Sequence, residues 1–182
     1  RPMHTTEKRE DLWIHPEEPG LRRSILIHRS PEELFDLWRD PAIFPRLMAH
    51  FARITVLSNT ASHWEVPMPL GKNVAWDAWI VDESRGEYIA WASSKKATVP
   101  NAGRLAFRPV SEERGTEVTM TLHFSPPGGI FGEWLTKKID LVPEAMLSQA
   151  LRRFKSMAET GEFATNKPQP AGRHGGMDQA EE

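Results

Sequence analysis

Residues 51–124 alternate apolar and polar side chains over most of their length, and this alternation constrains the fold more than any other feature of the sequence. Turn-forming pairs divide the stretch at Ser58-Asn59, Leu70-Gly71, Arg85-Gly86 and Arg114-Gly115. A period of two with such breaks is typical of antiparallel strands. We therefore expect a meander of strands near residues 52–57, 63–67, 74–81, 88–93, 103–108 and 117–124.

The two faces of these predicted strands differ in polarity. One face is apolar and carries Ile54, Val56, Trp64, Val66, Trp76, Ala78, Ile80, Ile89, Trp91, Leu105, Phe107, Val118, Met120, Leu122 and Phe124. The opposite face is mostly polar and carries Arg53, His63, Asp77, Thr119 and His123. A sheet with this pattern packs one face against a core and exposes the other to water.

Helix signals lie just before the meander. Residues 21–28 alternate as a first strand, and Ser30 and Pro31 follow it. Glu33 lies three residues after the serine, which is the pattern of a capping box with proline in the first helical turn. Asp40-Pro41 repeats the cap and proline signal. We expect two short helices here, the second of which ends near Leu47.

A long helix is predicted towards the C-terminal end. Apolar side chains recur there at helical spacing, at Leu135, Ile139, Val142, Met146, Ala150, Phe154 and Ala158. Pro143 is unfavourable inside a helix, so we expect the helix to restart at that residue and to end before Gly161. The restarted segment would be about 27 Å long. These patterns predict an α+β fold in which a curved antiparallel sheet of about seven strands wraps around the helix.

The two ends of the chain lack these patterns. Residues 1–20 mix charge and proline, with one apolar cluster at Leu12, Trp13 and Ile14. They are predicted to form a flexible arm that can dock through this cluster. Residues 161–182 are rich in proline, glycine and polar side chains, which predicts a disordered tail. The folded domain would then cover residues 21–160.

Composition excludes several classes of protein. The chain has no cysteine, which excludes disulfides, thiolate metal sites and cysteine nucleophiles. Its 23 basic and 25 acidic residues give a net charge of −2 and a pI near 6.4, which argues against a DNA-binding protein. The sequence contains no run of about 18 apolar residues, the length that predicts a membrane-spanning helix. We expect the protein to reside in the reducing cytoplasm, which is the default compartment. The sequence leaves open whether a targeting segment precedes Arg1.

Motifs for catalysis, cofactors and metals are lacking in the sequence. It has no GxSxG, HExxH, Walker or dinucleotide-binding pattern, so no cofactor is expected. Its seven histidines include no pair at metal-binding spacing, so no metal site is expected. Asp77 lies between Trp76 and Trp79, where burial would raise its pKa and make it a candidate acid or base. The alternation instead favours a solvent-facing Asp77.

Bulky side chains recur on the predicted inner face of successive strands. We expect these side chains to surround one space beneath the long helix. They are Trp64, Trp76, Trp91 and Phe107, together with Phe44, Met120 and Met146. The pattern fits a filled core and an adaptable ligand cavity equally well. Polar candidates for orienting a ligand are His50 and Asn101 on connecting segments and Ser93 on the inner face.

Basic side chains lie on the C-terminal helical region, away from its apolar stripe. They are Lys137, Lys138, Arg152, Arg153 and Lys155. Such charges are usually a solvated face. The alternative is contact with anionic lipid headgroups at a membrane surface or with RNA phosphates.

The order of strand, two short helices, meander and long helix resembles the helix-grip fold of the START-like superfamily, also called SRPBCC or Bet v 1-like. Eight stretches of the sequence carry a closer resemblance: residues 24–35, Trp38-Arg39-Asp40, Phe44-Pro45-Arg46, Trp76-Asp77-Ala78, Ile89-Ala90-Trp91, Asn101-Ala102-Gly103, Phe107-Arg108-Pro109 and residues 151–155. Within that superfamily, they resemble the bacterial polyketide cyclase/dehydrase group. That group is similar to coenzyme Q-binding proteins and to a ribosome-associating toxin family. The resemblance covers residues 21–161.

The resemblance implies a deep apolar cavity under the C-terminal helix, which relatives use for lipids, quinones, sterols or polyketides. It implies no catalytic set, because members of this fold place different residues in the cavity. We expect a non-enzymatic protein that binds or transports an apolar small molecule. The alternatives are a polyketide cyclase, aromatase or dehydratase that uses His50, Ser93 or Asn101, and a ribosome- or protein-interaction module. The sequence does not determine the oligomeric state.

Overall fold

The alternating residues form one antiparallel sheet of seven strands in this computed structural model, which describes residues 9–14, 20–67, 73–125 and 143–161. The strands are β1 (Leu21–Ile27), β2 (Arg53–Val56), β3 (Ala61–Pro67), β4 (Asn73–Ser84), β5 (Tyr88–Ser93), β6 (Asn101–Ser111) and β7 (Gly115–Phe124). Their order in the sheet is β1-β7-β6-β5-β4-β3-β2. The meander from β2 to β7 is therefore sequential, and β1 pairs with β7 at one edge.

This arrangement confirms the predicted fold class. Strands β4 and β6 extend further than the alternation indicated, and each contains a register shift, between Ile80 and Asp82 and between Pro109 and Ser111. A bulge of this kind bends a strand and increases its twist without ending it. The shifts help the sheet to curve around the helical side of the molecule.

Three α-helices lie on the described part of the chain. They are α1 (Pro31–Arg39), α2 (Phe44–Leu47) and α3 (Pro143–Thr160). The first and third are described from Pro31 and Pro143, whereas the second begins at Phe44, three residues after the predicted Asp40-Pro41 signal, because residues 41–43 form a turn. The predicted capping box is present at α1, where Ser30 Oγ accepts from the amide of Glu33 and the Glu33 carboxylate accepts from the amide of Ser30. The helix predicted from Pro143 to a point before Gly161 is described over Pro143–Thr160. The predicted apolar positions Leu135, Ile139 and Val142 lie outside the described residues.

The hydrophobic core lies between the sheet and the helices. Phe154 of α3 is fully buried, and its ring meets that of Trp38 on α1 edge-on, with centroids 5.2 Å apart. Leu147 and Leu151 of α3 are also buried in this cluster. On the other side of α3, the ammonium of Lys155 donates to the carbonyl of Leu26 in β1 at 3.0 Å. The helix is thus held across the concave face of the sheet.

The outer face of the sheet carries a small apolar cluster covered by residues 9–14. Leu12 is 7% exposed and packs with Ala92 and Ala102, and Trp13, Ile14, Trp79 and Val81 surround them. The amide of Trp13 donates to the carbonyl of Ser93 at 2.9 Å, and the amide of Lys95 donates to the carbonyl of Asp11 at 2.8 Å. This part of the arm is docked by the apolar cluster predicted for it. Of the predicted disordered tail, residues 161–182, all but Gly161 lies outside the described residues.

Within the described ranges, no helix combines the length and the apolar composition that crossing a bilayer requires.

Candidate functional site

Two cavities lie on the concave side of the sheet, and Trp64 and Trp91 contribute to the walls of both. The first, which we call the α1-side cavity, has a volume of about 190 Å³ and is bounded by the end of α1 and by the turn between β2 and β3. The second, the α3-side cavity, has a volume of about 100 Å³ and is bounded by Met146, Leu147 and Ala150 of α3. A dry cavity of about 150 Å³ is large enough for benzene. The α1-side cavity is therefore large enough for a small ring, whereas the α3-side cavity is smaller than this and matches a short chain.

The α1-side cavity combines aromatic walls with polar side chains at the β2–β3 turn. Its described lining is Trp38, Arg39, Pro41, Phe44, Val56, Ser58, Asn59, Thr60, Ala61, Ser62, Trp64, Ala78, Trp79, Ile80, Ile89 and Trp91. The indole N–H of Trp64 donates to Ser62 Oγ at 3.0 Å. Arg39 forms an ion pair with Glu83 at 2.8 Å. These contacts fix the polar groups in place.

The α3-side cavity is lined mainly by apolar side chains. Its described lining is Met48, Phe51, Trp64, Val66, Val74, Trp76, Trp91, Val99, Asn101, Met120, Leu122, His123, Phe124, Met146, Leu147 and Ala150. The rings of Trp64 and Trp76 are stacked, with centroids 6.0 Å apart and an interplanar angle of 15°. Among the described residues, the buried indole nitrogen of Trp76 has no hydrogen-bond partner. Three methionines on the wall give it adaptable side chains.

Trp91 is held between a helix and a neighbouring strand. Its ring is stacked on that of Trp38, with centroids 6.1 Å apart. Gly103 is its register partner on β6, and the ring occupies the space that a side chain at Gly103 would need. The glycine therefore determines how closely this ring approaches the sheet.

Most residues predicted to form the site lie on the cavity walls. Phe44 lines the α1-side cavity, and Trp64 and Trp91 line both cavities. Four further residues of this group line the α3-side cavity: Trp76, Met120, Met146 and Asn101. The side-chain amide of Asn101 donates to the carbonyl of Val99 at 2.8 Å.

The other three predicted residues are placed elsewhere. The ring of Phe107 packs against Phe35 of α1, with centroids 6.2 Å apart, because β6 passes beneath α1 at this point. Ser93 is fully buried, and its hydroxyl accepts from the amide of Asn101 at 2.9 Å and donates to the carbonyl of Ser94 at 3.1 Å. Neither residue is among the described lining of the two cavities.

His50, the third, bonds to helix α3 rather than facing a cavity. Its Nε2 lies 3.2 Å from the carbonyl of Met146, so Nε2 carries the proton and donates. Its Nδ1 is buried and has no hydrogen-bond partner in the part of the chain that the structure describes. Burial lowers the pKa of His50, and the charge of Arg153 lowers it further, against an opposing effect of the Met146 carbonyl.

Several wall residues were not among the predicted site residues. Trp38 lies on the buried side of α1, and Met48 and Phe51 lie in the connection after α2. The helical spacing of Trp38 with Leu34 indicated burial, but not which space its ring would face. The segment with Met48 and Phe51 has no period that assigns a direction to its side chains.

The candidate acid Asp77 lies on the other face of the sheet. His63 Nδ1 is 2.6 Å from Asp77 Oδ1, and the two side chains are 34% and 43% exposed. The hydrogen bond to Asp77 raises the pKa of His63, with a smaller contribution from Glu65. The pair is a partly exposed cross-strand contact, because His63 and Asp77 are register partners on β3 and β4.

Over the described ranges, no group of three or more histidine and carboxylate side chains is arranged to hold a metal ion.

A family model described as "Polyketide cyclase / dehydrase and lipid transport" matches residues 19–159. No curated protein matches the chain.

Solved structures share the fold over most of this chain. DR_A0006 from Deinococcus radiodurans is 34% identical, with a TM-score of 0.62, and the match covers 79% of this chain and 99% of that chain. TTHA0849 from Thermus thermophilus is 22% identical, with a TM-score of 0.62 and the same coverage. A conserved protein from Geobacillus kaustophilus is 13% identical, with a TM-score of 0.63, and the match covers 79% of this chain and 97% of that chain.

Proposed function

The chain belongs to the polyketide cyclase / dehydrase and lipid transport family, and on this premise we propose that it binds and transports a small apolar molecule in the two cavities beside Trp64 and Trp91. The observation that carries the proposal is the pair of adjoining cavities with aromatic and methionine walls. A filled core packs at the density of an organic crystal, with few voids larger than a water molecule. Spaces of about 190 and 100 Å³ are larger than such voids, and both are partly open to solvent, so a small ligand can enter them.

The affinity would come mainly from burial of apolar ligand surface, at about 25 cal/mol per Å². The stacked rings of Trp38, Trp64, Trp76 and Trp91 offer flat faces to a planar ligand. The methionines of the α3-side cavity can adjust to different ligand shapes. Such a lining selects for size and flatness more than for a particular pattern of hydrogen bonds.

The polar contacts on the cavity walls favour binding over catalysis. Ser62 bonds with the indole of Trp64, and Asn101 bonds with the carbonyl of Val99. Neither pair contains a group that titrates near neutral pH, whereas a cyclase or dehydratase needs a placed acid or base. His50, the one histidine among the predicted site residues, donates to the backbone of α3. His123 is also in the described lining of the α3-side cavity, but its ring lies against Gly20.

The basic residues give little support to an RNA-binding or membrane-binding module. Arg153 and Lys155 donate to the backbone carbonyls of Arg46 and Leu26, so both are engaged within the fold. Arg152 is exposed. Lys137 and Lys138 lie outside the described residues. One exposed cation adds little affinity for a polyanion at physiological salt.

Calorimetric titration with 4-phenylbutan-1-ol tests the proposal. This neutral probe joins one aromatic ring to a short flexible chain. Two variants reduce the cavity volume: Ala78→Leu in the α1-side cavity and Ala150→Leu in the α3-side cavity, at positions that are 3% and 2% exposed. Ala42→Leu is the matched control at an exposed site.

We expect binding by the wild type and by Ala42→Leu, and at least tenfold weaker binding by one cavity variant that keeps its circular dichroism spectrum. Two results would overturn the proposal. One is the absence of binding by the wild type, and the other is equal affinity in the wild type and both folded cavity variants.

A further inference from the structure

Two arginines at the contact between α2 and α3 have buried nitrogens without partners. Arg46 Nη1 and Arg153 Nε are both buried, and neither has a hydrogen-bond partner among the described residues. Arg153 Nη2 donates to the backbone carbonyl of Arg46 at 2.7 Å, which holds its guanidinium against α2. Buried polar groups in native proteins are nearly always paired, and an exception points to a water, an ion or another ligand.

Within the described ranges, no carboxylate balances these two charges. The acidic residues on α3 are engaged elsewhere: Glu144 pairs with Arg23 at 2.7 Å, and Glu159 accepts from the amide of His28 at 3.1 Å and pairs with Lys155 at 3.8 Å. None of the ion pairs in this part of the chain includes Arg46 or Arg153. The contact therefore holds two positive charges and unused donors.

His50 lies close to this contact. It follows Arg46 by four residues and donates to the carbonyl of Met146 on α3. The charge of Arg153 helps to lower its pKa, which places His50 and Arg153 in the same electrostatic environment. When His50 is neutral, the positive charges at this contact are those of the two guanidinium groups.

The same two segments form a wall of the α3-side cavity. Met48 and Phe51 follow Arg46 closely in the chain and line that cavity, and Met146 and Ala150 line it from α3. Ala150 precedes Arg153 by three residues, which places the two side chains about one turn apart on the same side of the helix. Neither arginine is in the described lining of that cavity, so the two guanidinium groups lie behind its wall, at the contact between α2 and α3.

We infer that Arg46 and Arg153 bind the anionic head, a carboxylate or a phosphate, of an amphipathic ligand whose apolar part occupies the α3-side cavity. The inference rests on the proposed function and narrows its ligand class from apolar molecules to apolar molecules with one anionic group. Guanidinium groups present planar sets of donors that match both kinds of head, and charge-assisted bonds of this type are roughly twice as strong as neutral ones. A small separation of α2 from α3 would admit the head to the two arginines.

The test compares 4-phenylbutanoate with 4-phenylbutan-1-ol, which share a ring and a chain and differ in the charge of the head. Binding of each is measured by calorimetry at low and at physiological salt. Arg46→Met is the main variant, because it removes the guanidinium whose buried Nη1 is unpaired and keeps an unbranched apolar side chain. Arg152→Met removes an exposed charge beside Arg153 on α3 and is the matched control. Arg46→Lys keeps the charge and removes the planar set of donors.

We expect the wild type to bind the carboxylate about tenfold or more tightly than the alcohol, the range that a charged hydrogen bond gives. Arg46→Met should abolish this difference without changing the affinity for the alcohol, Arg46→Lys should keep part of it, and Arg152→Met should keep it all. Equal binding of both probes by the wild type, or an equal loss in Arg46→Met and Arg152→Met, would overturn the inference while the proposed function stands. Failure of both probes to bind would overturn both.

Discussion

The indole of Trp91 lies against the backbone of Gly103, its register partner on β6, so closely that a Cβ at Gly103 would overlap ring atoms Cε2 and Cζ2. The same ring stacks on Trp38 and lines both cavities. The absence of a side chain at one position on β6 thus sets the position of the ring that lies between the two cavities.

Substitution Gly103→Ala should displace the Trp91 ring and destabilise the fold. The added methyl group overpacks this contact, and overpacking of a core typically costs about 1–3 kcal/mol. Urea unfolding measures the change in free energy. Because the displaced ring would enter the cavities, the affinity for 4-phenylbutan-1-ol should fall as well.

The double variant Gly103→Ala/Trp91→Leu provides the control. Leucine lacks the ring atoms that the methyl group would meet, so Gly103→Ala should cost much less in the Trp91→Leu background. Equal costs of the alanine in both backgrounds would show that the effect does not pass through Trp91.

His63 should stabilise the protein at low pH, and this contribution should be lost as the pH rises above 6.5 through the raised pKa of His63. The Asp77 carboxylate raises the pKa of His63 in the folded state above the unfolded value of 6.5. The stabilisation from a raised histidine pKa is fully present below the unfolded pKa and is lost as the pH rises through the folded pKa. We expect His63→Gln to lower stability more at pH 5.5 than at pH 8.5, as measured by urea unfolding at both values.

The magnitude of this effect should be small, because both side chains are about a third exposed or more and solvent screens the pair. Asp77→Asn should reduce the same pH dependence, since it removes the first cause of the raised pKa. A constant difference between His63→Gln and the wild type from pH 5.5 to 8.5 would contradict the prediction.

His50 should act in the opposite direction. Burial and the charge of Arg153 lower its pKa below the unfolded value of 6.5. A lowered histidine pKa stabilises the fold above the unfolded pKa, and this stabilisation is lost as the pH falls below 6.5 through the folded pKa. The wild type should therefore lose stability on acidification through this range.

The variant His50→Gln isolates this contribution. Glutamine can donate to the carbonyl of Met146 but does not titrate, so the variant should lose less stability than the wild type between pH 7.5 and pH 5.5. The measurement is thermal unfolding at closely spaced pH values. A steeper loss in His50→Gln than in the wild type would show that His50 is not the group that opposes acid.

The regular elements could be predicted from local patterns in the sequence. Alternation in the meander predicted which side of each strand faces the core, and the serine, proline and glutamate at residues 30, 31 and 33 predicted the start of α1. Pro143 predicted the start of α3 in the same way. These signals succeed because backbone geometry and capping depend on neighbours in the chain.

The shape of the site could be predicted only in part. Alternation places both Trp91 and Phe107 on the concave face. It does not distinguish Trp91, which faces a cavity, from Phe107, which packs under α1 against Phe35. That difference depends on where the helices cross the sheet. The unpaired nitrogens of Arg46 and Arg153 depend on contacts between segments that are far apart in the chain, at a separation of 107 residues.

The docked segment at residues 9–14 should stabilise the outer face of the sheet. Leu12 is 7% exposed against Ala92 and Ala102, and it brings Trp13 and Ile14 to Trp79. Leu12→Ala removes this apolar contact, and we expect it to lower the free energy of unfolding by about 1–3 kcal/mol, below the range of most central core sites because the segment lies at a surface.

Leu57→Ala is the matched control for Leu12→Ala, because Leu57 is 55% exposed and its truncation should change stability by less than about 0.5 kcal/mol. Limited proteolysis gives a second measurement, since undocking of the segment would speed cleavage near residues 9–14. The cavities lie on the opposite face of the sheet, so Leu12→Ala should bind 4-phenylbutan-1-ol as the wild type does. If Leu12→Ala and Leu57→Ala unfold at the same urea concentration, the docked segment contributes nothing to stability.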